Sequence, residues 1–518
     1  MKPAGLFFRA ATLIFIILFY ALLFLHPIDL SSADLGRHLE NGQVFFQGFS
    51  FIRTNLYSYT YPDYPFINHH WASGVIFFLI KSIFGFPGLS LLSAALRILA
   101  LLLFFRLACK SAHFIFVLFL SVVAMPLILS RTETRPEIFS YFFCAVFYWV
   151  LWGFSSGRLR QRWLWLLAIL QLCWVNLHSY FFLGPLLIAV FLMDAVFSFY
   201  KKHGQQEREK IKALAGVLIL ACLLNFLNPY GKEAVFYPLG LLKGHFRLIF
   251  ENQSLLFLAR NHFLYFYPLF YFKLALVLLM GSWLLAALRF IKRKDDLFIA
   301  SSLITVMAVA MALLAVRNLP IFGYLLLPLV SFNLRILFAD RKVGRGAYLL
   351  VFFGIVLVLG SLFLSKADYW LRLKGSGLGL KKGVASAANF YLRHNIQGPI
   401  LNNYNIGGYL IYYLYPAHRP FIDNRPEAYP EDFFKNTYLR LEEDEAFWGQ
   451  AQEEYGFNVI FYSSFPIDNA AKVFLSHRIL DPLWALVYAD DYAVILLKRN
   501  NLNRGIIARY ELAKEIAP

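Results

Sequence analysis

"HHWASGVIFFLIKSIFGF", residues 69–86, is the stretch on which the topology of the chain turns. Its apolar core is short, Lys81 interrupts it, and aromatic residues flank it. That pattern suits a helix lying in a headgroup layer rather than one that crosses a membrane. Were it to cross, every later loop would change sides. The surrounding sequence sets the membrane context: 59% of the 518 residues are hydrophobic, only 15% are charged, and the mean hydropathy is +0.57. Too little polar surface remains to cover a soluble globule.

Apolar runs of roughly 16 to 22 residues recur through the first two thirds, each able to cross a ~30 Å hydrocarbon layer as a helix. The runs predict a polytopic α-helical membrane protein with about eleven spans, at 8–26, 88–106, 112–130, 137–153, 162–177, 180–199, 212–227, 272–290, 298–316, 320–337 and 346–364. The first run follows Lys2 and Arg9 and has no small-x-small cleavage site behind it, so it is read as a retained helix rather than a signal peptide. Fifty-five Phe and thirty Tyr fit lipid-facing and interfacial surface. The four cysteines (Cys109, Cys144, Cys173, Cys222) lie in or beside apolar runs without ligand spacing, and read as packing residues.

The formal charge of +18 does not indicate a nucleic-acid partner, because Lys and Arg concentrate in short loops between apolar runs. "RLACKSAH", "SSGRLRQR", "YKKHGQQEREKIK", "RFIKRKDD" and "ADRKVGR" form one set with the N-terminus. The positive-inside rule assigns that set to the cytoplasm, with 69–86 held at the outer interface. The expected division is a membrane module over 1–365, whose first outer loop is 27–87, followed by an extracytoplasmic domain over 366–518. In the latter, "GPILNN", "RPFIDN", "NVIFYS", "WALVYA" and "YAVILLKR" read as strands. "GGYLIYYLY" and "LEEDEAFWGQAQEEYG" read as helices, so the expected class is α/β.

On this topology the scarce polar clusters emerge on one face. They are the 29–70 loop with "DLSSADLGRHLENGQ", Arg131/Glu133/Arg135, Asn176/His178, Asn225/Asn228/Tyr230 and Arg317/Asn318. Arg97 falls near mid-helix, where charge is costly, and should face the protein interior or a site. Asp423 and Arg425 end an expected strand, either as site residues or as a surface ion pair.

The ordered segments "DLGRHLENGQ", "NHHWASGVIFFLIKSIFG", "RTETRPEIFSYF", "WVNLHSYFFLGPLL", "LNPYGKEAVFYP", "AVRNLPIFGYLLLP" and "NNYNIGGYLIYYLYP…FIDNRPEAY" together resemble bacterial multi-pass glycosyltransferases of the GT-C superfamily. The branch they look most like is that of lipopolysaccharide-core glycosyltransferases and protein O-mannosyltransferases. The resemblance implies a polyprenyl-phosphate-linked sugar donor, an extracytoplasmic acceptor and a home in the bacterial inner membrane. It also implies a catalytic aspartate in the first outer loop, which by position is Asp34. The chemistry agrees: glycosyl transfer needs a carboxylate to take the acceptor's proton and cations to stabilise the departing phosphate. The plainer reading of Asp34 is a helix-start carboxylate in "SSADLGRHL".

His38 lies one helical turn beyond Asp34. With His69 and His70 it is a candidate for orienting Asp34 or the acceptor, or an ordinary interfacial histidine. His69 and His70 stand where relatives often carry another polar or acidic residue, which puts a second catalytic carboxylate in doubt. Arg131, Arg135 and Arg317 are the candidates for the lipid phosphate; the plainer alternative is arginines snorkelling to headgroups. Arg37, Arg97, Glu133, Asn176, His178, Asn228, Tyr230, Asn318, Asp423 and Arg425 complete the substrate-binding candidates. The sequence has no D-x-D and no His/Cys ligand cluster, so no cofactor is expected and a divalent metal is not favoured. Two other classes fit the composition: a transporter or flippase of lipid-linked sugars, and a scaffold whose outer domain binds glycan. A transporter should carry mid-membrane polar groups on several helices, often in repeated halves, and this sequence shows neither.

Overall fold

In a computed structural model, the structure describes residue 14, residues 17–32, 34–240, 250–260, 267–293, 298–335, 375–464 and 469–513, and scattered positions between 346 and 360. The chain divides into two compact units: residues 1–26, 90–242 and 247–378, and residues 27–89, 243–246 and 379–518.

The first unit is helical. Among the described residues, each expected span from 88–106 through 320–337 overlaps a helix, and 17–24 of the expected span 8–26 is helical, while 346–364 falls mostly outside the described residues. Among the described residues, Trp71–Ala108, Glu137–Ser155, Ser179–Lys202 and Pro268–Ile291 are long and apolar enough to cross a membrane; Phe114–Ile128 and Phe298–Leu314 are apolar but shorter. The helix Gln205–Leu224 begins ahead of the expected 212–227 because its polar first turns "QQEREKIK" continue the same helix. It packs against Leu183–Lys202 through a tight reversal in which His203 adopts φ 49°. Small polar residues tie helices together inside the unit, as suits helices that share an apolar solvent. Gln171 Nε2 donates to Asn225 Oδ1 at 2.7 Å, and Ser301 Oγ donates to Asn333 Oδ1 at 3.0 Å.

The pivotal run 69–86 is followed by a break. The rod Trp71–Ala108 is interrupted at Gly85, whose φ of 65° and ψ of −168° leave the helical region. "GFPG" explains it, since glycine tolerates positive φ and the residue before a proline is disfavoured in the helix. The break separates the stretch expected at the interface from the span expected at 88–106.

The second unit is an α/β body around a four-stranded sheet of order β1-β2-β4-β3, with β1 Ile400–Asn402, β2 Val459–Ser463, β3 Trp484–Ala489 and β4 Ala493–Lys498. β1 and β2 are parallel, whereas β4 runs antiparallel to both β2 and β3. Every residue of β2 is buried, in keeping with its central place and its continuous apolar run. The expected strand "RPFIDN" is not one. Its backbone is satisfied by side chains instead: Phe421 N donates to Asn402 Oδ1 at 2.9 Å, and the Phe421 carbonyl accepts from Ser58 and Thr60. The acidic helix divides at Asp444, whose carboxylate caps Glu445–Tyr455 by accepting from the Ala446 and Phe447 amides.

The first outer loop belongs to this body. Ile52, Tyr57 and Phe66 share one hydrophobic core with Leu401, Phe421, Ile460 and Leu496. Packing therefore groups residues 27–89 with the C-terminal sheet, whereas the sequence reading assigns 27–87 to the membrane module.

Candidate functional site

Asp34 opens the helix Leu35–Gly48 at its N-cap position, yet its side chain makes no capping hydrogen bond. Its Oδ2 instead lies 3.2 Å from Arg37 Nη2 and 3.4 Å from His38 Nε2. The helix-start explanation thus accounts for its position but not for its contacts. The Asp34 side chain is 21% exposed, against 5% for Arg37 and 0% for His38, so it is the most accessible member of the three. Arg37 Nε also donates to Asn424 Oδ1 at 3.3 Å.

Glycines bring this helix close to its neighbours. A Cβ on Gly36 would stand 2.5 Å from the Gly408 carbonyl oxygen in Gly407–Leu414, and one on Gly42 would stand 2.3 Å from the Gly74 carbonyl oxygen. The first eight residues, Leu35 to Gly42, are all buried although four of them are Arg37, His38, Glu40 and Asn41. Neighbours supply partners for the polar ones. Tyr57 Oη donates to Asn41 Oδ1 at 2.8 Å. Burial pushes the Glu40 carboxyl up to about 7, offset in part by Lys81. Burial likewise holds the Glu427 carboxyl above the usual range, against the pull of Arg37 and Arg425.

The His38 and His70 rings stand edge to face at 5.5 Å between centroids, and the His69 and His70 rings are 3.8 Å apart. His69 Nδ1 lies 3.2 Å from the Ile67 carbonyl oxygen. The structure thus joins Asp34, Arg37, His38 and His70 in one constellation, with His69 behind it. Glu40, Glu427 and Asn424 also belong to this neighbourhood; they lie within "DLGRHLENGQ" and "FIDNRPEAY" but are not among the residues the sequence nominates.

Asp423 and Arg425 are corrected. Both side chains are fully buried, and Arg425 donates to both carboxylate oxygens of Asp423, at 2.7 and 2.6 Å. Arg425 also donates to Asn55 Oδ1 and lies over the rings of Tyr57 and Phe66, while Tyr429 Oη donates to Asp423 at 2.9 Å. This is neither a surface pair nor a surface that meets a substrate. It fastens the first outer loop to the C-terminal segment.

A second cluster lies in the helical unit. Arg131 pairs with Glu137 at 3.0 Å and Glu251 at 2.9 Å, Arg135 pairs with Glu251 at 3.0 Å, and Arg317 reaches Glu137 at 3.4 Å. Arg317 Nη1 also donates to Asn252 Oδ1 at 2.9 Å. All three nominated arginines therefore meet, but the carboxylates joining them are Glu137 and Glu251 rather than Glu133. Glu133 gives its backbone carbonyl to Arg97. Arg97 itself is buried, donates to Ser93 Oγ, and lies over the Phe24 ring, so it faces the protein interior.

The other candidates mostly shape helix ends. Asn176 Nδ2 donates to the Leu172 carbonyl, Asn228 Nδ2 to the carbonyls of Asn225 and Gly231, and the Tyr230 amide to Asn228 Oδ1. His178 Nδ1 lies 2.8 Å from Ser140 Oγ, and Asn318 accepts from Tyr180 and donates to the Met311 carbonyl.

Comparison of the sequence with family models and with curated proteins finds no match. Among solved structures, the chain is similar to the archaeal oligosaccharyltransferase AglB from Archaeoglobus fulgidus, captured with an inhibitory peptide and a dolichol-phosphate. The TM-score is 0.55 at 12% identity, covering 89% of this chain and 70% of that one. It is also similar to ArnT from Cupriavidus metallidurans bound to undecaprenyl phosphate, with a TM-score of 0.51 at 11% identity, covering 97% and 99%. At these identities the likeness is one of fold: the chain has the fold that AglB and ArnT share.

Proposed function

We propose that the protein is a membrane glycosyltransferase that moves a sugar from a polyprenyl-phosphate carrier to an extracytoplasmic glycolipid, polysaccharide or protein. The observation that carries this reading is the Asp34 carboxylate, turned away from its capping role and held by Arg37 and His38. As the bond between the sugar's anomeric carbon and the phosphate oxygen breaks, Asp34 accepts the proton of the acceptor hydroxyl or amine. The new glycosidic bond forms, and the phosphate leaves with the bonding electrons. Arg37 and His38 fix the carboxylate's position. Arg131, Arg135 and Arg317 receive the lipid phosphate, for which guanidinium groups are geometrically suited.

The carrier is supported by the polyprenyl phosphates held by AglB and ArnT. Eleven spans, a cytoplasmic N-terminus and the bacterial inner membrane complete the proposal, which calls on no metal. The test is purified full-length protein in detergent with a panel of radiolabelled polyprenyl-phosphate sugars. Wild type should form product, and Asp34→Asn should fold normally and lose roughly 100-fold or more in rate. Undiminished transfer by Asp34→Asn would refute the assignment of the base. Movement of lipid-linked sugars across liposomes without any transfer would instead favour a flippase.

A further inference from the structure

We infer that Asn424, on the C-terminal turn 423–429, is a positioning residue for the chemistry proposed at Asp34: it fixes the Arg37 guanidinium that in turn holds the Asp34 carboxylate. The inference rests on reading Asp34 as the base, and adds that the reactive constellation is completed by a segment 387 residues further along the chain. All the residues concerned lie in the second unit. Arg37 Nε donates to Asn424 Oδ1 at 3.3 Å, and Arg37 Nη2 donates to Asp34 Oδ2 at 3.2 Å. A guanidinium is planar, so acceptors on two of its nitrogens fix both its place and its rotation. Arg37 is buried, where a lost acceptor is costly to replace.

The run "FIDNRPEAY" explains how the turn presents Asn424. Burial alternates along it: Asp423 and Arg425 pair at 0% exposure, whereas Asn424 between them is half-buried. The Asp423 amide donates to Tyr429 Oη at 3.0 Å, and Pro426–Ala428 is a single 3-10 turn in which the Tyr429 amide donates to the Pro426 carbonyl at 3.3 Å. Asn424 therefore hangs from backbone held on both sides. Paired glycines bring that backbone to Arg37. A Cβ on Gly407 would stand 2.4 Å from Asp423 Cα, just as one on Gly36 would meet the Gly408 carbonyl oxygen. The neighbours of Asn424 and of Arg37 thus rest on the same end of the helix Gly407–Leu414, at separations that a side chain at these glycines would not allow. A second group of the turn faces the same guanidinium, since Arg37 leads the cations that draw on the half-buried Glu427 carboxyl. A tie that only held the turn in place would need no amide on Nε of the arginine that holds Asp34. Directed there, it acts on the reactive geometry, to which transfer rates are sensitive.

Full-length protein in detergent is assayed for transfer from polyprenyl-phosphate sugars. In parallel, Asp34 is labelled with a water-soluble carbodiimide and an amine, read by mass spectrometry against the half-exposed Asp444. Asn424→Leu should lower kcat about tenfold with KM within about twofold, because the base is misplaced while substrate binding is untouched. Asn424→Asp keeps an acceptor oxygen for Arg37 Nε and should recover most of that rate. Labelling of Asp34 should rise about threefold in Asn424→Leu, as its cation loosens, and should stay near wild type in Asn424→Asp. Arg37→Lys removes the Nε donor, so adding Asn424→Leu to it should cost nothing further. Wild-type kcat and labelling in Asn424→Leu, a loss confined to KM, or a loss undiminished in the Arg37→Lys background overturns the inference. Labelling needs no turnover, so a protein that labels as expected yet transfers no sugar would overturn the proposed reaction and leave the tie between Asn424 and Asp34 standing. Should Asn424→Leu not fold, Asn424→Ser, whose shorter side chain stops short of Arg37, is read in the same way.

Discussion

Breaking the buried Asp423–Arg425 pair should loosen the first outer loop without any chemistry being touched. Arg425→Met leaves the Asp423 carboxylate at zero exposure with only the Tyr429 hydroxyl and backbone for company. Removing one partner of a buried ion pair destabilises by about 3–5 kcal/mol, a shift of 100-fold or more in the opening equilibrium. Replacing both partners with apolar residues is often close to neutral, because neither charge is then stranded. Because Arg425 also bonds Asn55 and covers Tyr57 and Phe66, the opening should involve residues 52–66 in particular. The assay is hydrogen exchange of those amides, with thermal unfolding in detergent, on wild type, Arg425→Met, Asp423→Leu and the double variant. Each single variant should speed exchange across 52–66, and the double variant should recover most of the loss. A double variant as unstable as the sum of the singles would show that the pair is not coupled. Single variants with wild-type exchange would refute the fastening role altogether.

The raised Glu40 carboxyl makes the same body pH-sensitive. A folded value of about 7 against an ordinary 4.5 favours the protonated form in the fold, so this contribution is present below about 4.5 and lost as pH rises toward 7. The loss is on the order of 3 kcal/mol, and Glu40→Gln should abolish this part of the pH dependence in melting temperature measured from pH 5 to 8. Gly36→Ala should destabilise by about 1–3 kcal/mol in chemical denaturation, since its Cβ would stand 2.5 Å from the backbone oxygen of Gly408. Glu251→Gln leaves Arg131 and Arg135 with more unneutralised charge, so in single-turnover and steady-state assays product release should slow while the first turnover is kept. Equal effects on both phases would remove the phosphate assignment.

Much of the architecture is legible in the sequence because long apolar runs have few alternatives, and "GFPG" announces its own break. What escapes is long-range pairing. Phe421 and Ile422 look like a strand by composition, but Asn402, Ser58 and Thr60 satisfy their backbone, and nothing near them in sequence reveals those partners. Asp423 and Arg425 look like exposed strand-end groups for the same reason, since Asn55, Tyr57 and Phe66 bury them from far upstream. Residue type and helix-end position point to Arg131, Arg135 and Arg317, whereas Glu251 lies 116 residues from Arg135 in a stretch without a motif. Asp34 needed both kinds of information. The resemblance singles out its position, and only geometry separates a cap from a carboxylate held by Arg37 and His38.

The balance of charge in the arginine cluster suits the reaction proposed for it. Among the described residues, the ion pairs of Arg131, Arg135 and Arg317 run to Glu137 and Glu251, which hold the guanidinium groups in place. A lipid-phosphate sugar is a phosphodiester with a single negative charge, and the lipid phosphate left behind carries about −1.5 to −2 near neutral pH. Charge therefore accumulates on the phosphate as the sugar departs, and preorganised cations stabilise that change more than they stabilise the donor. Three arginines without carboxylates would bind the product more tightly still, and release would then limit turnover. On the proposed assignment the two glutamates would set the attraction between those extremes and hold the guanidinium groups in place before any lipid arrives, so the proposal counts the carboxylates with the arginines.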